Sequence, residues 1–300
     1  MSRISLSLGP VLFNWPAAQW RDFYARIADE APVDCVYVGE VVCSKRQPFF
    51  ADSLPDVIER LERGGKTVIL SSLALPTLER ELKYCASLAD ATQMVEANDV
   101  SMIPHLVGRP HTIGPLISVY NEAAVRFLIG GGAKRIALPP ELPMTSITAI
   151  AAAAKEAGAD IEVWAFGRIP LAISARCYHA RLHGRTKDSC QFVCEDDPDG
   201  LRVDTLDNEK FLAINGVQTL SHTYCNLISE TKALGDAGVS TLRLSPHTCD
   251  MVAVSRIFRD VLDGVCEPSH GMQRLQATTP DAAFSNGFVH GVDGATLVVG

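Results

Sequence analysis

Residues 35–71 read CVYVGEVVCSKRQPFFADSLPDVIERLERGGKTVILS, and this stretch contains the structural unit that the chain repeats. The apolar runs Cys35–Gly39 and Thr67–Ser71 predict two buried strands, since strands of parallel sheets are apolar along most of their length. Between them, Asp52–Arg63 predicts a helix, and the two glycines that follow it are typical of a helix end. The stretch therefore predicts a strand, a helix and a second strand that runs parallel to the first.

The same alternation continues on both sides of this stretch. Eight strands are predicted, at Ile4–Leu8, Cys35–Gly39, Thr67–Ser71, Gln93–Val95, His111–Val119, Arg135–Leu138, Ile161–Phe166 and Thr241–Leu244. Helical patterns accompany them, including Ala17–Glu30, Tyr224–Ala237 and Met251–Leu262. Eight such units predict a (β/α)8 TIM-like barrel of the α/β class. An open, doubly wound sheet is the alternative, but no Gly-x-Gly-x-x-Gly motif follows the first strand.

One segment interrupts the alternation between units seven and eight. This insertion, at about residues 168–222, carries three cysteines in CYHARLHGRTKDSCQFVC, which spans Cys177–Cys194. The seventh strand is expected to end at Phe166, with a loop leading to the first of these cysteines. Further along, Asn215 and Gly216 separate two apolar runs, which is a strong signal for a β-hairpin. We interpret residues 1–300 as a single barrel domain that contains this insertion.

The composition argues against several classes of partner. The formal net charge is −8 and the sequence pI is about 5.5, so the whole chain has no attraction for nucleic acid or for an anionic membrane surface. No apolar run approaches the ~20 residues that cross a bilayer, and the first residues do not resemble an export signal. We therefore expect a cytoplasmic protein. In a reducing compartment, its nine cysteines are expected to be metal ligands or small buried residues instead of disulfides.

Four cysteines form the strongest functional pattern. Cys177, Cys190 and Cys194 lie close together in sequence, and Cys43 follows the second predicted strand. Four thiolates are the usual ligands of an iron–sulfur cube, and they also form closed structural zinc sites. Zinc sites favour two close pairs, whereas only one close pair is present here, so the spacing favours iron–sulfur and leaves zinc open. The segments around the thiols are rich in lysine and arginine, which would stabilise a negatively charged cluster.

Signals for hydrolytic chemistry are weak. His179 and His183 are four residues apart, but no glutamate stands between them as a His-Glu-x-x-His zinc site requires. No Gly-x-Ser-x-Gly motif is present in the sequence. Glu141 and Arg243 lie where residues that line a barrel mouth are expected, so they are the first polar candidates for a substrate site.

Several blocks of the sequence resemble a single family. The blocks include YVGEVVCSKR at Tyr37–Arg46, SARCYHARLHGRTKDSC at Ser174–Cys190 and FLAINGVQTLSHTYCNL at Phe211–Leu227. With other blocks along nearly the whole chain, they resemble the collagenase-like peptidase family. The tail after Phe288 shows no such similarity, so no function is transferred to it.

The resemblance implies a cofactor, a partner and an activity. It implies a 4Fe-4S cluster on Cys43, Cys177, Cys190 and Cys194, and a heterodimer with the homologous protein UbiU. The branch of the family that the blocks resemble implies an oxygen-independent hydroxylase acting on ubiquinone precursors, with this chain as a cluster-bearing subunit. The alternative is a peptidase-like hydrolase in which the metal site only stabilises the fold.

Overall fold

The computed structural model describes residues 3–299, in which strands and helices alternate. The strands are β1 (Ser5–Leu8), β2 (Cys35–Val38), β3 (Thr67–Ser71), β4 (Met94–Ala97), β5 (His111–Ile113), β6 (Ala133–Ala137), β7 (Asp160–Ile173), β8 (Leu201–Asp204), β9 (Lys210–Asn215), β10 (Gln218–Asn226), β11 (Thr241–Leu244) and β12 (Phe284–Ser285). The helices are α1 (Ala17–Glu30), α2 (Leu54–Arg63), α3 (Glu79–Leu88), α4 (Ile103–Leu106), α5 (Glu122–Gly130), α6 (Met144–Ala157), α7 (Tyr178–Leu182), α8 (Thr231–Asp236), α9 (Met251–Leu262) and α10 (Pro268–Thr278).

Eight of these strands close into a parallel barrel. Strands β1 to β7 pair in chain order, each parallel to the next, and β11 pairs in parallel with both β7 and β1. At least one helix lies between each pair of consecutive barrel strands. The fold is therefore an α/β barrel of the TIM type, and the open-sheet alternative is excluded. The loops that follow the carboxyl ends of the barrel strands form one face, the barrel mouth.

Most element bounds follow the sequence pattern, with three clear exceptions. The fifth strand is shorter than predicted and ends at Ile113, because Pro115 has no N–H with which to continue the pairing. The helix predicted at Tyr224–Ala237 is wrong in its first part. Residues Tyr224 to Asn226 end strand β10 because they pair with β7, and only Thr231–Asp236 is helical.

The seventh barrel strand is longer than predicted. The loop expected after Phe166 is instead a continuation of β7 to Ile173, which pairs with the antiparallel strand β10. Gly167, whose φ of +105° favours glycine, lies just beyond the last residue of β7 that pairs with β11. Strands β8, β9 and β10 form an antiparallel sheet, with Asn215 and Gly216 at the turn between β9 and β10. The segment between β7 and β11 thus contains both the cysteine loop and this sheet.

The barrel interior contains a buried network of charges. Arg243 of β11 donates to Glu162 of β7 and, across the barrel, to Glu96 of β4, each at 2.6 Å. The hydroxyls of Ser7 and Tyr37 donate to Glu162 at 2.7 and 2.6 Å. All five side chains are buried. Because buried charges are costly unless they are paired and hydrogen-bonded, this network fixes five strands of the barrel relative to one another.

The chain after the barrel adds one helix and one short strand. Helix α10 packs against α9, and β12 pairs in parallel with β10. Across residues 3–299, no helix combines the length and the apolar character that crossing a bilayer requires.

Candidate metal centre

Two loops at the barrel mouth carry the four predicted ligand cysteines. Cys43 follows β2 and precedes a short 3-10 helix. Cys177 follows β7 and caps helix α7, where its Sγ accepts the backbone N–H of Ala180 at 3.5 Å. Cys190 and Cys194 lie on either side of a tight turn further along the same segment. Cys43 and Cys177 therefore lie a few residues after the ends of β2 and β7, whereas Cys190 and Cys194 lie further along, beyond α7.

The four cysteines line one cavity. None of the other five cysteines of the chain lines it. Cys43 comes from the second barrel unit and the other three thiols from the segment after the seventh. The fold thus brings together the residues that the sequence singled out, although they lie far apart along the chain.

The spacing of the thiols distinguishes between kinds of metal site. A single zinc ion bound tetrahedrally at about 2.3 Å from each sulfur would hold the Sγ atoms about 3.8 Å apart. Among the described residues, one set of three metal-ligating side chains has ligand atoms that all lie within 4.8 Å of one another. It consists of His179, His183 and Asp197 and contains no cysteine. No three of the four thiols are therefore as close as the ligands of one ion.

A buried arginine lies against this cavity. Arg46 is 1% exposed and donates to the carbonyl of Leu12 at 2.8 Å and to Asn215 Oδ1 at 3.0 Å. Its Nη1 lies 4.0 Å from a carboxylate oxygen of Glu40, which is also buried. Burial disfavours the charge of Arg46, but Glu40 and the neighbouring cysteines outweigh burial and raise the pKa of Arg46. The arginine therefore keeps a positive charge beside the thiols.

Lysine side chains add further positive charge at the cavity. Lys45 Nζ lies 3.5 Å from Cys190 Sγ and donates to the carbonyl of Lys187 at 2.8 Å. The same ammonium lies 5.6 Å from the centre of the Phe192 ring. The side chain of Lys187 also lines the cavity. A cluster with four thiolate ligands carries net negative charge, so these cations would lower its energy.

The environment of the thiols suits metal ligands better than free nucleophiles. Burial raises the pKa of Cys43, with Arg46 opposing the effect, and burial also raises the pKa of Cys177. A thiol with a raised pKa stays protonated near neutral pH and reacts slowly. A bound metal ion would deprotonate it. The donor set therefore fits a metal cluster on chemical grounds.

A histidine to which the sequence assigned no role lines the same cavity. His179 is fully buried, and its Nε2 lies 2.9 Å from Asp197 Oδ2. Its Nδ1 has no hydrogen-bond partner among the described residues. The ring of His183 stacks on that of His179 with 5.4 Å between centres. The four-residue spacing of the two histidines was visible in the sequence, but the contact with Asp197 depends on tertiary structure.

Two neighbouring clefts lie at the barrel mouth outside the thiol cavity. The larger cleft, of about 430 Å³, lies between α1 and the loop after β11, and its apolar lining includes Trp15, Phe23 and Met251. The polar cleft, of about 290 Å³, includes Arg168 at the end of the barrel part of β7. Thr248 lines both clefts. The mouth therefore offers space for a ligand, as is usual in this fold.

The two strand-end residues predicted to line the mouth lie outside these two clefts, but Arg243 does line a smaller pocket at the mouth, together with Gly9 and Ser245. Glu141 accepts a hydrogen bond from the hydroxyl of Tyr120 in an exposed position. Arg243 belongs to the buried network inside the barrel. Neither residue lines the larger cleft or the polar cleft. The prediction missed Arg168 because it ended the seventh strand before that residue.

A comparison with known protein families identifies the family of this barrel. The sequence profile of peptidase family U32 matches residues 19–298. The chain belongs to peptidase family U32. Among solved structures, it is similar to the U32 peptidase Mk0906, with 12% identity over 82% of this chain and 94% of that chain, and a TM-score of 0.45.

A second solved structure shows a similarity of the same kind. The chain is similar to D-psicose 3-epimerase from Clostridium cellulolyticum H10, with 8% identity over 92% of this chain and 99% of that chain, and a TM-score of 0.39. At such low identity, neither similarity indicates an activity for this chain.

The histidines in the described part of this U32 family member do not pair with a serine or cysteine nucleophile. Among the described residues, no histidine ring nitrogen forms a hydrogen bond with a serine or cysteine side chain. The buried His247 accepts the backbone N–H of Arg168 at 3.4 Å, and its Nδ1 lies 3.1 Å from the carbonyl of Ser245. Burial lowers the pKa of His247 to about 4. Because catalysis by a serine or cysteine needs a base within reach of the nucleophile, this arrangement does not favour it.

Proposed function

We propose that this U32 family member has the role of UbiV: a 4Fe-4S subunit of an oxygen-independent hydroxylase that acts on ubiquinone precursors. In this proposal it works in the cytoplasm as a heterodimer with UbiU. The sequence blocks described above motivate the substrate and the partner. The observation that supports the cofactor is the convergence of Cys43, Cys177, Cys190 and Cys194 on one cavity.

The chain's own residues would hold the cluster and set its electrostatic environment. A bound 4Fe-4S cluster would supply electron transfer. Arg46 is buried, so water does not screen its charge from the cluster, and Lys45 reaches Cys190 from the other loop. Nearby cations stabilise the more negative, reduced form of a cluster and raise its reduction potential. Val193 and the Phe192 ring line the same cavity and limit access of water.

The larger cleft is the best candidate for the substrate. A quinone precursor combines an aromatic ring with an apolar chain, which requires an apolar surface with few polar groups. Trp15, in the loop after β1, and Phe23 and Met251, on helices α1 and α9, supply the apolar part of such a surface. The lining also includes the polar residues Asp22 and Arg26. In TIM barrels, substrate sites lie on this face. The position of this cleft therefore agrees with the proposed activity.

The alternative is a peptidase-like hydrolase whose metal site only stabilises the fold. The family description favours it. The absence of a histidine paired with serine or cysteine among residues 3–299 argues against it. The alternative predicts peptide hydrolysis that persists when Cys43 or Cys194 is replaced by alanine. Measurable peptide turnover by these variants would contradict the redox proposal.

The decisive experiment measures the metal content of anaerobically purified protein. The proposal expects a brown protein with about four irons and matching sulfide, and a cluster EPR signal after reduction. Alanine substitution of each proposed ligand should abolish the signal; these variants are Cys43→Ala, Cys177→Ala, Cys190→Ala and Cys194→Ala. Matched controls are Cys225→Ala, which is buried beside β7, and Cys249→Ala, which lines both clefts. Colourless protein with tightly bound zinc would refute the proposal.

A second experiment tests the activity. Purified chain and UbiU, mixed without oxygen, should hydroxylate a ubiquinone precursor when an electron source is present. Loss of turnover in Cys190→Ala with an intact heterodimer would assign the cluster to the reaction. Full turnover by that variant would show that the cluster is not needed and would contradict the proposal.

A further inference from the structure

The polar cleft contains a buried arginine without an acidic partner. Arg168 is 4% exposed, and no carboxylate lies within 4.0 Å of its guanidinium in the described part of the chain. Its Nε donates to the carbonyl of Asp199 at 3.0 Å, and its Nη1 donates to the carbonyls of Ser221 and His222. Most buried charges are paired with an opposite charge, because an unpaired one loses its solvation without compensation. An arginine held in this way is prepared for an anion that comes from outside the chain.

Two other basic side chains face the same cleft. Arg202 of β8 is exposed and has no ion pair among the described residues, and His222 of β10 is half-buried. The Nδ1 of His222 is buried without a hydrogen-bond partner. Burial lowers the pKa of His222, and the positive charges of Arg168, Lys210 and Arg202 lower it further, with Asp204 opposing them. The guanidinium groups of Arg168 and Arg202 and the ring of His222 thus line the same cleft.

Two acidic residues, Asp199 and Asp281, line the cleft together with these basic side chains. Asp199 Oδ1 accepts the backbone N–H of Thr248 at 2.9 Å, and Asp199 Oδ2 accepts the hydroxyl of the same residue. Asp281 is exposed at the edge of the cleft. The guanidinium of Arg168 packs over the ring of Tyr224, 5.0 Å from the ring centre, which fixes its plane. The Nη2 of Arg168 has no hydrogen-bond partner in the described structure, so it can donate to a carboxylate or phosphate oxygen.

We propose that Arg168, Arg202 and His222 form a binding site for the oxyanion group of a small molecule, a carboxylate or a phosphate. The volume of about 290 Å³ admits a small metabolite and excludes a macromolecule. The site adjoins the larger cleft through Thr248, so an anion bound here lies next to whatever occupies that cleft. This inference does not depend on the identity of the metal centre.

The test is calorimetric titration of the full-length protein, purified anaerobically, with two probes: inorganic phosphate and malonate. We expect one of them to bind, and the identity of that probe assigns the ligand as a phosphate or a carboxylate. Arg202→Gln and His222→Gln should each weaken binding about tenfold, since each removes one contact to the anion. Both side chains lie at the surface of the cleft, so these variants avoid the structural role of Arg168.

The matched control is Arg80→Gln, which removes one exposed positive charge on α3, outside the cleft. Its affinity should stay within about twofold of the wild type. The proposal is overturned if neither probe binds at up to about 10 mM, or if Arg80→Gln weakens binding as much as Arg202→Gln. Loss of the metal cluster in a separate preparation should leave the affinity unchanged, which separates this result from the fate of the proposed hydroxylase function.

Discussion

Replacement of Arg243 by methionine tests whether the charge network holds the barrel together. Arg243 is 2% exposed and makes hydrogen-bonded ion pairs of 2.6 Å with Glu96 and with Glu162, both of which are fully buried. Methionine fills the space of the aliphatic stem and leaves two buried carboxylates without this cation. Removal of one partner from a buried ion pair costs about 3–5 kcal/mol. Each carboxylate keeps hydroxyl donors, such as Ser71 for Glu96, so we expect a loss of about 3 kcal/mol.

The pH dependence of this loss follows from the pKa of Glu162. Burial raises that pKa, but Arg243 and Arg135 outweigh burial, so the folded protein has a pKa below the ordinary value of 4.5. A carboxyl group with a lowered pKa stabilises the fold above its unfolded pKa, and this contribution disappears as the pH falls through the folded pKa. The difference between the wild type and Arg243→Met should therefore be largest near neutral pH and should shrink below about pH 4.5.

The assay is equilibrium unfolding in urea, followed by circular dichroism, on protein from which bound metal has been removed. Two-state analysis is not valid while a metal cofactor is bound, so this removal is necessary. Arg126→Met is the control, because its exposed ion pair with Glu156 should contribute at most about 1 kcal/mol. Adding Glu96→Gln and Glu162→Gln to Arg243→Met should restore part of the stability, since the buried negative charges are then absent. A loss below about 1 kcal/mol, or an equal loss at pH 7 and pH 4, would refute the reasoning.

Two further predictions concern the thiol cavity. Arg46→Met should lower the free energy of unfolding by about 3 kcal/mol, because Glu40 loses its buried cation; urea unfolding measures the loss, and Glu40→Gln in the same chain should recover part of it. Chelation of the cluster should expose the loop around Gly184, so limited trypsin digestion should cut at Arg181 or Arg185 before any barrel site. Cleavage within the barrel first would contradict this expectation.

The barrel was predictable because its signal is local. Each barrel strand is a short apolar run followed by a helical pattern, and the bounds of Thr67–Ser71 and Thr241–Leu244 coincide with the predicted ones. The extension of β7 was not predictable from the same signal. Pro170 and Gly167 lie within it, and both disfavour a strand when the sequence is considered alone. Pairing with β10 is a long-range interaction, and it decides the conformation there.

The candidate site also has a part that the sequence predicted and a part that it did not. The chemistry of cysteine made the four ligands visible in the sequence, because few other roles require thiols in a basic segment. The burial of Arg46 could not be predicted from the sequence, since a lysine–arginine pair after a strand is more often exposed to solvent. Its burial depends on acceptors that come from Leu12 and Asn215, in two other parts of the chain. The contact between His179 and Asp197 has the same origin.

The contacts of Arg46 also indicate how the metal site is built. The carbonyl of Leu12 accepts from both Arg46 and the side-chain amide of Asn215, so one carbonyl joins the loop after β1, the Cys43 loop and the hairpin between β9 and β10. At the hairpin turn, Gly216 has a φ of +61°, and a Cβ atom there would lie 3.0 Å from the Arg46 guanidinium. The hairpin can approach the arginine this closely because the residue is glycine. One wall of the cavity is thus formed by protein contacts alone.

The opposite wall has far fewer such contacts. Around Cys190, the side-chain contacts in the described structure are those of Lys45 with its Sγ and of Arg185 with its carbonyl, at 3.5 and 3.2 Å. Both cations belong to long, flexible side chains, and exposed contacts of this kind contribute little to stability. In the proposed holoprotein, ligation of Cys190 would therefore supply most of the energy that orders this loop. Trypsin should therefore cut the loop around Cys190 first when the cluster is removed. The wall of the cavity that Arg46 forms should stay folded under the same conditions.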